Sequence, residues 1–263
     1  QDLQSRGQML RSETYKHDYP FCWRCDTPLL YYARASWFVR TTAYKERMVE
    51  LNQTVNWHPG HIKDGRFGDW LVNNIDWAIS RERYWGTPLP IWRCADCDHT
   101  RCFGSVAELR EAAPDTPVDI ELHRPYIDKV EMPCGECGGV MTRVPEVADA
   151  WFDSGSAHTA QWHAPFENGD AASRAYPADF ISEAIDQTRG WFYTLMATGA
   201  FLYDEVAYRN CLCLELVLGD DGLKMSKTRG NMVDPWAVLA KHGADAPPRY
   251  FYTVAPPWQP RAC

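Results

Sequence analysis

The pattern of apolar and polar positions along the chain predicts alternating helices and strands. In the first third, apolar residues recur at helical spacing and predict an amphipathic helix, at Tyr44, Met48, Leu51 and Val55. Thr41 or Thr42 could cap this helix, because a side-chain hydroxyl can accept a hydrogen bond from the first turn. A second short helix is predicted by the spacing of Phe67, Trp70, Leu71 and Ile75.

Two apolar runs in the second half predict strands that lead into polar loops. Residues 176–192 predict a buried strand, a loop and a helix that runs to about Tyr203. Residues 211–218 predict another buried strand, and the Asp-Asp-Gly that follows predicts a turn. Further on, Asp234 should cap a helix that has Pro235 in its first position and Gly243 after its last. This alternation is typical of an open α/β sheet.

Composition and charge exclude several classes of function. The chain has 263 residues, of which 45% are hydrophobic and 24% are charged, so it can bury a sizeable core. Its net charge of −8 argues against a general nucleic-acid coat, because phosphate binding needs local positive charge. The longest uncharged stretch has 14 residues, which is too short to span a bilayer. We therefore expect a cytoplasmic protein with no membrane contact.

Six of the ten cysteines stand in C-x-x-C pairs, which favours metal ligation over disulfides. Two pairs separated by 36 residues could together hold a metal, namely Cys94, Cys97, Cys134 and Cys137. Four thiolates would complete a tetrahedral zinc site with a structural role, and four unligated core thiols are the alternative. The remaining pair, Cys22 and Cys25, is half a zinc site, a redox pair or two core thiols.

A polar loop after the second predicted strand carries residues suited to binding a polyphosphate. Residues 224–228 read Lys-Met-Ser-Lys-Thr, and Gly230 follows. The ammonium groups of Lys224 and Lys227 can neutralise phosphate oxygens, while the hydroxyl of Ser226 can donate a hydrogen bond. An exposed hairpin tip with ordinary surface lysines is the alternative.

Two segments that combine tryptophans with polar side chains precede this loop. Residues 149–156 read Asp-Ala-Trp-Phe-Asp-Ser-Gly-Ser, and residues 186–192 read Asp-Gln-Thr-Arg-Gly-Trp-Phe. Trp151 and Trp191 could line an apolar slot beside polar groups at the end of the first predicted strand, where open α/β sheets bind ligands. The alternative is a packed core in which Asp186 only caps a helix.

These three motifs, in this order, resemble those of the isoleucyl-tRNA synthetases, a family of class I aminoacyl-tRNA synthetases. The resemblance implies an α/β fold, namely the second half of a Rossmann-like parallel sheet with an inserted zinc-ribbon-like subdomain. It implies activation of isoleucine by ATP with Mg²⁺, followed by transfer to tRNA(Ile). It assigns ATP binding to Lys224, Met225, Ser226 and Lys227, with both lysines catalytic. It places the amino acid and the adenylate at Trp151, Glu183, Asp186, Gln187 and Trp191.

The resemblance also divides the chain into five parts. They are the return from an editing insertion with the Cys22/Cys25 pair (1–33), an α/β core segment (34–92), the zinc-binding insertion (93–141), the second half of the nucleotide-binding fold with the amino-acid site (142–219), and the lysine loop with the start of a stem-contact region (220–263). We expect the remaining parts of the synthetase on the same full-length chain and no activity from these residues alone. A non-catalytic, zinc-stabilised binding module derived from a synthetase is the alternative.

Residues 57–61 read Trp-His-Pro-Gly-His, which is similar to the His-Ile-Gly-His signature of class I synthetases. We nevertheless expect a loop with two ordinary histidines there, because Pro59 and its neighbours predict neither a preceding strand nor a following helix. Two details depart from the family pattern. Ala184 stands where the family usually has glycine, which would matter if that backbone needs a positive φ. Pro247 and Pro248 stand where the family continues into a helix, and we expect them to break it.

Overall fold

The computed structural model describes residues 2–22, 25–226 and 230–262. The chain divides into two compact units, Gln1–Ala35 and Ser36–Cys263. In the described part of the first unit, regular structure is confined to one short helix at Asp2–Ser5. The backbone N–H of Cys22 donates to the Thr27 carbonyl at 2.9 Å, so the Cys22/Cys25 pair lies in a tight turn.

The described residues form short helices and strands in alternation. The helices are α1 (Asp2–Ser5), α2 (Lys45–Thr54), α3 (His61–Asp64), α4 (Arg66–Val72), α5 (Val106–Ala112), α6 (Ala150–Gly155), α7 (Ala157–Ala160), α8 (Gly169–Ala175), α9 (Trp191–Tyr203), α10 (Pro235–His242) and α11 (Ala246–Val254). The strands are β1 (Phe38–Val39), β2 (Asn56–His58), β3 (Trp77–Ala78), β4 (Ser80–Arg81), β5 (Ile91–Cys94), β6 (Thr100–Cys102), β7 (Met132–Pro133), β8 (Val140–Arg143), β9 (Val147–Ala148), β10 (Ala178–Ala184), β11 (Tyr208–Leu214), β12 (Val217–Leu218) and β13 (Arg261–Ala262).

A parallel sheet in the order β10–β11–β2 forms the centre of the second unit. The predicted order of strand, loop and helix over 176–203 is confirmed, because β10 leads through a 3-10 turn at Ile185–Arg189 into α9. The prediction that this strand is buried is wrong, because Ile181 is the one buried residue of β10, which in the described part of the chain pairs with β11 on one side only. The chain then returns to β11, which lies parallel to β10 as this crossover requires. Since all three strands are parallel, their carboxyl ends meet at one edge of the sheet. Ligands of open α/β sheets bind at this edge.

The core beside the sheet is built mainly from α2, α4 and α9. Trp57 of β2 lies against Phe67 and Phe192, with ring centroids 4.8 and 5.8 Å apart. Its indole N–H donates to Asn52 Oδ1 at 2.8 Å, and Asn52 Nδ2 donates to the Lys63 carbonyl at 2.8 Å. These bonds satisfy the buried polar groups of Trp57 and Asn52. They hold α2 and α3 against the strand between them.

A second sheet, antiparallel in the order β6–β5–β8–β7, forms a subdomain with its own core. α5 covers it, and the buried residues include Trp92, Phe103, Leu109, Met132 and Met141. Trp92 donates its indole N–H to the Val130 carbonyl at 2.8 Å. The cysteine pairs lie at the ends of β5 and β7, so this core and the cysteines belong to one structural element.

The predicted caps of α2 are wrong. Thr41 and Thr42 lie in a 3-10 turn, Thr41–Tyr44, that precedes the helix. The hydroxyl of Thr41 donates to the Ile75 carbonyl at 2.9 Å, and that of Thr42 to Asp76 Oδ1 at 2.7 Å. Distant partners therefore bind both hydroxyls. Ile75, which we expected within the second helix, lies beyond the end of α4 and is exposed.

The prediction that residues 57–61 form a loop without a flanking strand and helix is wrong. β2 runs through Trp57 to His58, and α3 begins at His61. β2 pairs in parallel with β11, so the turn that follows it lies at the carboxyl edge of the sheet. A strand of three residues is too short to show an alternating pattern, which is why the sequence did not predict it.

Pro247 and Pro248 begin a helix instead of breaking one. α10 ends at His242, before Gly243 with φ 77°, and α11 starts at Ala246 with both prolines in its first turn. The N–H groups of a first turn have no intrahelical acceptor, so proline removes no hydrogen bond there. The start of α10 at Pro235 and its end before Gly243 are as predicted.

His158 on α7 should make the stability of the chain depend on pH. Its ring nitrogens lie 3.0 Å from Thr198 Oγ1 and 2.8 Å from Thr159 Oγ1, and its ring packs edge-on against the rings of Tyr176 and Tyr203. Burial lowers the pKa of His158 from 6.5 to about 4. Below about pH 6.5 the unfolded chain binds a proton that the folded chain does not, so the unfolding free energy falls as the pH drops towards 4.

We expect the loss to be about 1–2 kcal/mol, since solvent screens a half-buried group. Urea denaturation between pH 7.5 and 4.5 measures it. In His158→Gln this share of the pH dependence should disappear. Equal pH slopes for the two proteins would contradict the prediction.

Candidate active site

A cavity of about 330 Å³ lies at the carboxyl end of β10. The residues that line it are Trp151, Ser154, Glu183, Gln187 and Trp191. They come from α6, from the last residues of β10, from the 3-10 turn and from the start of α9. Four residues of the predicted amino-acid site are therefore brought together here. The cavity combines two aromatic walls with a carboxylate and an amide, and such a mixture suits a small ligand with one apolar and one polar end.

A buried carboxylate fixes the first aromatic wall. Asp149 caps α6, because its Oδ1 accepts a hydrogen bond from the Trp151 backbone N–H at 3.3 Å. Its Oδ2 accepts from the indole of Trp77 at 3.1 Å and from Arg81 at 2.6 Å. Asp149 is not among the site residues predicted from the sequence, although an aspartate just before a predicted helix is a recognised capping signal. This anchor sets the position of Trp151.

The second wall is held by Gln187. Its Oε1 accepts a hydrogen bond from the Trp191 backbone N–H at 2.9 Å, so Gln187, and not Asp186, satisfies the start of α9. The indole N–H of Trp191 donates to the Ser154 carbonyl at 3.0 Å. The side-chain amide N–H of Gln187 donates to Asp186 Oδ2 at 3.2 Å. Trp191 is thus bonded to α6, the helix that carries Trp151.

Asp186 and the described residues of the lysine loop, Lys224, Met225 and Ser226, are not among the residues that line this cavity. After β12, Lys224 lies opposite Leu218 in an isolated bridge, and the Gly219 N–H donates to the Leu223 carbonyl at 2.9 Å. Met225 lines a separate apolar cavity of about 570 Å³ beside α10 and α11. Lys227 lies outside the described residues.

Asn231 closes the lysine loop. Its Oδ1 accepts from the Ser226 backbone N–H at 2.9 Å, and its Nδ2 donates to both carboxylate oxygens of Asp221 at 3.1 Å. Asn231 is not among the site residues predicted from the sequence, because no short pattern predicts a contact across ten residues.

Ala184 has φ −71°, so the backbone there does not need glycine.

The four predicted zinc ligands form one cluster. Cys94 Sγ lies 3.5 Å from Cys137 Sγ, Cys97 Sγ lies 3.6 Å from Cys134 Sγ, and all four sulfurs lie within 4.8 Å of one another. Tetrahedral zinc with bonds of about 2.3 Å separates its sulfurs by about 3.8 Å, whereas a disulfide needs about 2.05 Å. The spacing fits a metal site and does not fit disulfides.

The backbone around the two pairs has the same form. Asp98 N–H donates to the Cys94 carbonyl at 3.2 Å, and Gly138 N–H donates to the Cys134 carbonyl at 2.9 Å. Both of these turns contain a residue with positive φ, Asp98 at 59° and Gly138 at 75°. A Cβ at Gly139 would lie 3.2 Å from Cys94 Sγ and would also displace the carboxylate of Asp96, so the two turns approach each other closely at this glycine.

The four thiols of the cluster differ in their pKa values. A hydrogen bond from the backbone of Cys137 lowers the pKa of Cys134 to about 7, which favours the thiolate form that binds zinc. The pKa of Cys97 is raised to about 12, and that of Cys137 is also raised, because hydrogen bonds between neighbouring thiols outweigh those from the backbone of His99 and Gly139. Across the described residues, these four side chains are the one group of three or more metal-binding residues. The Cys22/Cys25 pair gains no further ligand there, and Cys25 Sγ lies 3.1 Å from Thr27 Oγ1.

Comparison with known proteins identifies the family. The model of the class I tRNA synthetases for isoleucine, leucine, methionine and valine matches residues 6–259. The chain belongs to the class I tRNA synthetases. The resemblance drawn from the three motifs is thus confirmed, and so is the α/β fold with a parallel sheet.

Within the described residues, each helix is too short or too polar to cross a bilayer.

Similar class I synthetases include isoleucine–tRNA ligases from several bacteria. The ligase of Clostridium novyi is 55% identical over 258 residues, which cover 98% of this chain and 25% of the relative. The ligase of Dehalococcoides mccartyi strain 195 is 53% identical over 266 residues, which cover 99% of this chain and 26% of the relative. The chain therefore spans about a quarter of the length of these relatives.

Two solved class I synthetases share the fold. The methionyl-tRNA synthetase of Mycobacterium tuberculosis in complex with methionyl-adenylate matches with a TM-score of 0.60 and 17% identity, covering 93% of this chain and 38% of that protein. A LeuRS–tRNA–LeuAMS ternary complex from Agrobacterium radiobacter K84 matches with a TM-score of 0.55 and 25% identity, covering 72% of this chain and 25% of that protein. The sheet and its helices are thus common to synthetases of different specificity.

Proposed function

We propose that this chain supplies the amino-acid site and the nucleotide-binding lysine loop of an isoleucine–tRNA ligase. The observation that carries the proposal is the cavity at the carboxyl edge of the parallel sheet, where two tryptophans face a carboxylate and an amide. The branched side chain of isoleucine would lie between Trp151 and Trp191. Glu183 and Gln187 offer oxygen acceptors for its ammonium group, and Asp186 adds negative charge nearby.

The reaction needs positioning and charge stabilisation but no covalent enzyme intermediate. A carboxylate oxygen of isoleucine attacks the α-phosphorus of ATP, the bond to the bridging oxygen breaks, and pyrophosphate leaves with that electron pair. Lys224 and Lys227 would neutralise the charge that builds on the leaving group, with Met225 and Ser226 shaping the loop and Mg²⁺ accompanying ATP. A ribose hydroxyl at the end of tRNA(Ile) then displaces AMP from the adenylate.

The cysteine cluster would hold a structural Zn²⁺. All four positions of a tetrahedral ion would be filled by sulfur, so the site leaves no position for a substrate. Its contribution would be to join the two turns at the ends of β5 and β7 and to stabilise the subdomain above them.

Pyrophosphate exchange tests the proposal. The chain is assayed with ATP, isoleucine and labelled pyrophosphate, alone and after addition of the residues that precede the matching region in the Clostridium novyi relative. We expect no exchange by the chain alone, because it spans about a quarter of such ligases, and measurable exchange by the mixture. Exchange in neither condition would favour the non-catalytic, zinc-stabilised binding module.

A further inference from the structure

The helices that carry the two tryptophan walls, α6 and α9, touch at a position where only glycine fits. α6 lies against α9 at Gly155, where an added Cβ would be 2.8 Å from the Cβ of Thr194 and 3.1 Å from its carbonyl carbon. Cβ atoms do not approach other heavy atoms below 3.0 Å. Any residue larger than glycine must therefore push the two helices apart.

Two hydrogen bonds fasten this contact. The indole N–H of Trp191 donates to the Ser154 carbonyl at 3.0 Å, and the hydroxyl of Thr198 donates to the Gly155 carbonyl at 2.7 Å. The last carbonyls of a helix have no partner within it, so these groups at the end of α6 are available to α9. One aromatic wall is thus bonded directly to the helix that carries the other.

The geometry of α6 connects this contact to the cavity. Trp151 and Gly155 are four residues apart, and residues at that spacing lie on the same face of a helix, one turn from each other. A shift of α6 away from α9 therefore carries Trp151 with it. The same shift stretches the bond between Trp191 and Ser154.

We propose that Gly155 determines the amino-acid selectivity of the cavity by fixing the distance between Trp151 and Trp191. This inference rests on the proposed function. Gly155 is a positioning residue, because it does not line the cavity and acts through the two tryptophans. The class of ligand it selects is an α-amino acid with a branched, four-carbon aliphatic side chain.

Gly155→Ala tests the proposal. The methyl group should widen the cavity, lower kcat/KM for isoleucine by about tenfold, and raise relative activity with an amino acid whose side chain is bulkier, such as phenylalanine. In apolar pockets one methylene changes discrimination by about 10–200-fold, a range known in part from isoleucine-specific enzymes of this class. KM for ATP should not change. The assay is pyrophosphate exchange under the condition in which the unsubstituted chain is active.

Gly169→Ala is the matched control. Gly169 begins α8, and an added Cβ there would meet no atom within 4 Å. The control has the same chemical change in a helix, so its selectivity should equal that of the unsubstituted chain. If Gly155→Ala does not fold, Trp191→Phe removes the indole donor, keeps an aromatic wall, and should shift selectivity in the same direction.

Exchange of the Trp191 indole proton with solvent, followed by NMR in ¹⁵N-labelled chain, gives a readout besides activity. The proton should exchange slowly in the unsubstituted chain and in Gly169→Ala, and rapidly in Gly155→Ala. Unchanged selectivity together with rapid indole exchange would overturn the proposal, as would an indole unaffected by Gly155→Ala. No exchange by the unsubstituted chain mixed with the preceding residues, together with a protected indole, would instead refute the proposed function, and with it the selectivity role, while leaving the helix contact intact.

Discussion

Cys134→Ser is expected to abolish the proposed zinc binding and to unfold the subdomain formed by β5 to β8. Serine is close in size, but its hydroxyl is a poor zinc ligand, so the cluster loses one of its four thiolates. Binding of structural zinc to small domains is worth about 10–16 kcal/mol, and we expect the variant to lose at least about 3 kcal/mol of that. Zinc content per chain and thermal unfolding followed by circular dichroism measure the effect.

Cys102→Ser is the control for this experiment. Cys102 is exposed on β6 of the same sheet and is not part of the cluster. It should retain one zinc per chain and unfold at the same temperature as the unsubstituted protein. A chelator should lower the unfolding temperature of Cys102→Ser and of the unsubstituted protein to that of Cys134→Ser. Equal zinc content in Cys134→Ser and Cys102→Ser would show that the cluster is not the zinc site.

Lys224→Ala is expected to slow pyrophosphate exchange by about 100–1,000-fold. Removing one preorganised charge from a developing anion costs about 2.7–4 kcal/mol in enzymes that stabilise such charge. KM for isoleucine should stay constant, because Lys224 does not line the aromatic cavity. The measurement is kcat and KM from exchange rates at varied isoleucine and ATP.

Lys241→Ala controls for loss of a surface charge near the loop. Lys241 lies in the last turn of α10 and is exposed. Its replacement should leave exchange unchanged. Equal rates for Lys224→Ala and Lys241→Ala would mean that Lys224 does not contact the triphosphate in the transition state.

The elements that were predictable from the sequence are those with strong local signals. α9 was predictable because 13 residues without a charge or proline lie between Gly190 and Asp204. α10 was predictable because Asp234, Pro235 and Gly243 each favour their position for a local reason. The cysteine cluster was predictable because the C-x-x-C spacing fixes two ligands at once.

The features that were not predictable depend on partners far along the chain. Thr41 and Thr42 bind groups 34 residues away, so no local pattern shows that they do not cap α2. The sequence favours Asp186 as the cap of α9, because aspartate is a preferred capping residue, and only the folded turn shows that Gln187 accepts the Trp191 N–H instead. The Lys-Met-Ser-Lys-Thr motif predicts a loop, but not that Met225 packs beside α10 and α11.

The parallel sheet at the centre of the second unit has consequences for handling the protein in solution. In the described residues, β10 and β2 each pair on one side only, with β11. Among the described residues no further strand pairs with their outer sides, and Phe180 of β10 is exposed. Such margins recruit strands from other molecules. At high concentration we therefore expect copies of this polypeptide to self-associate through hydrogen bonds between their strand backbones. An added peptide that pairs with β10 or β2 should suppress that self-association.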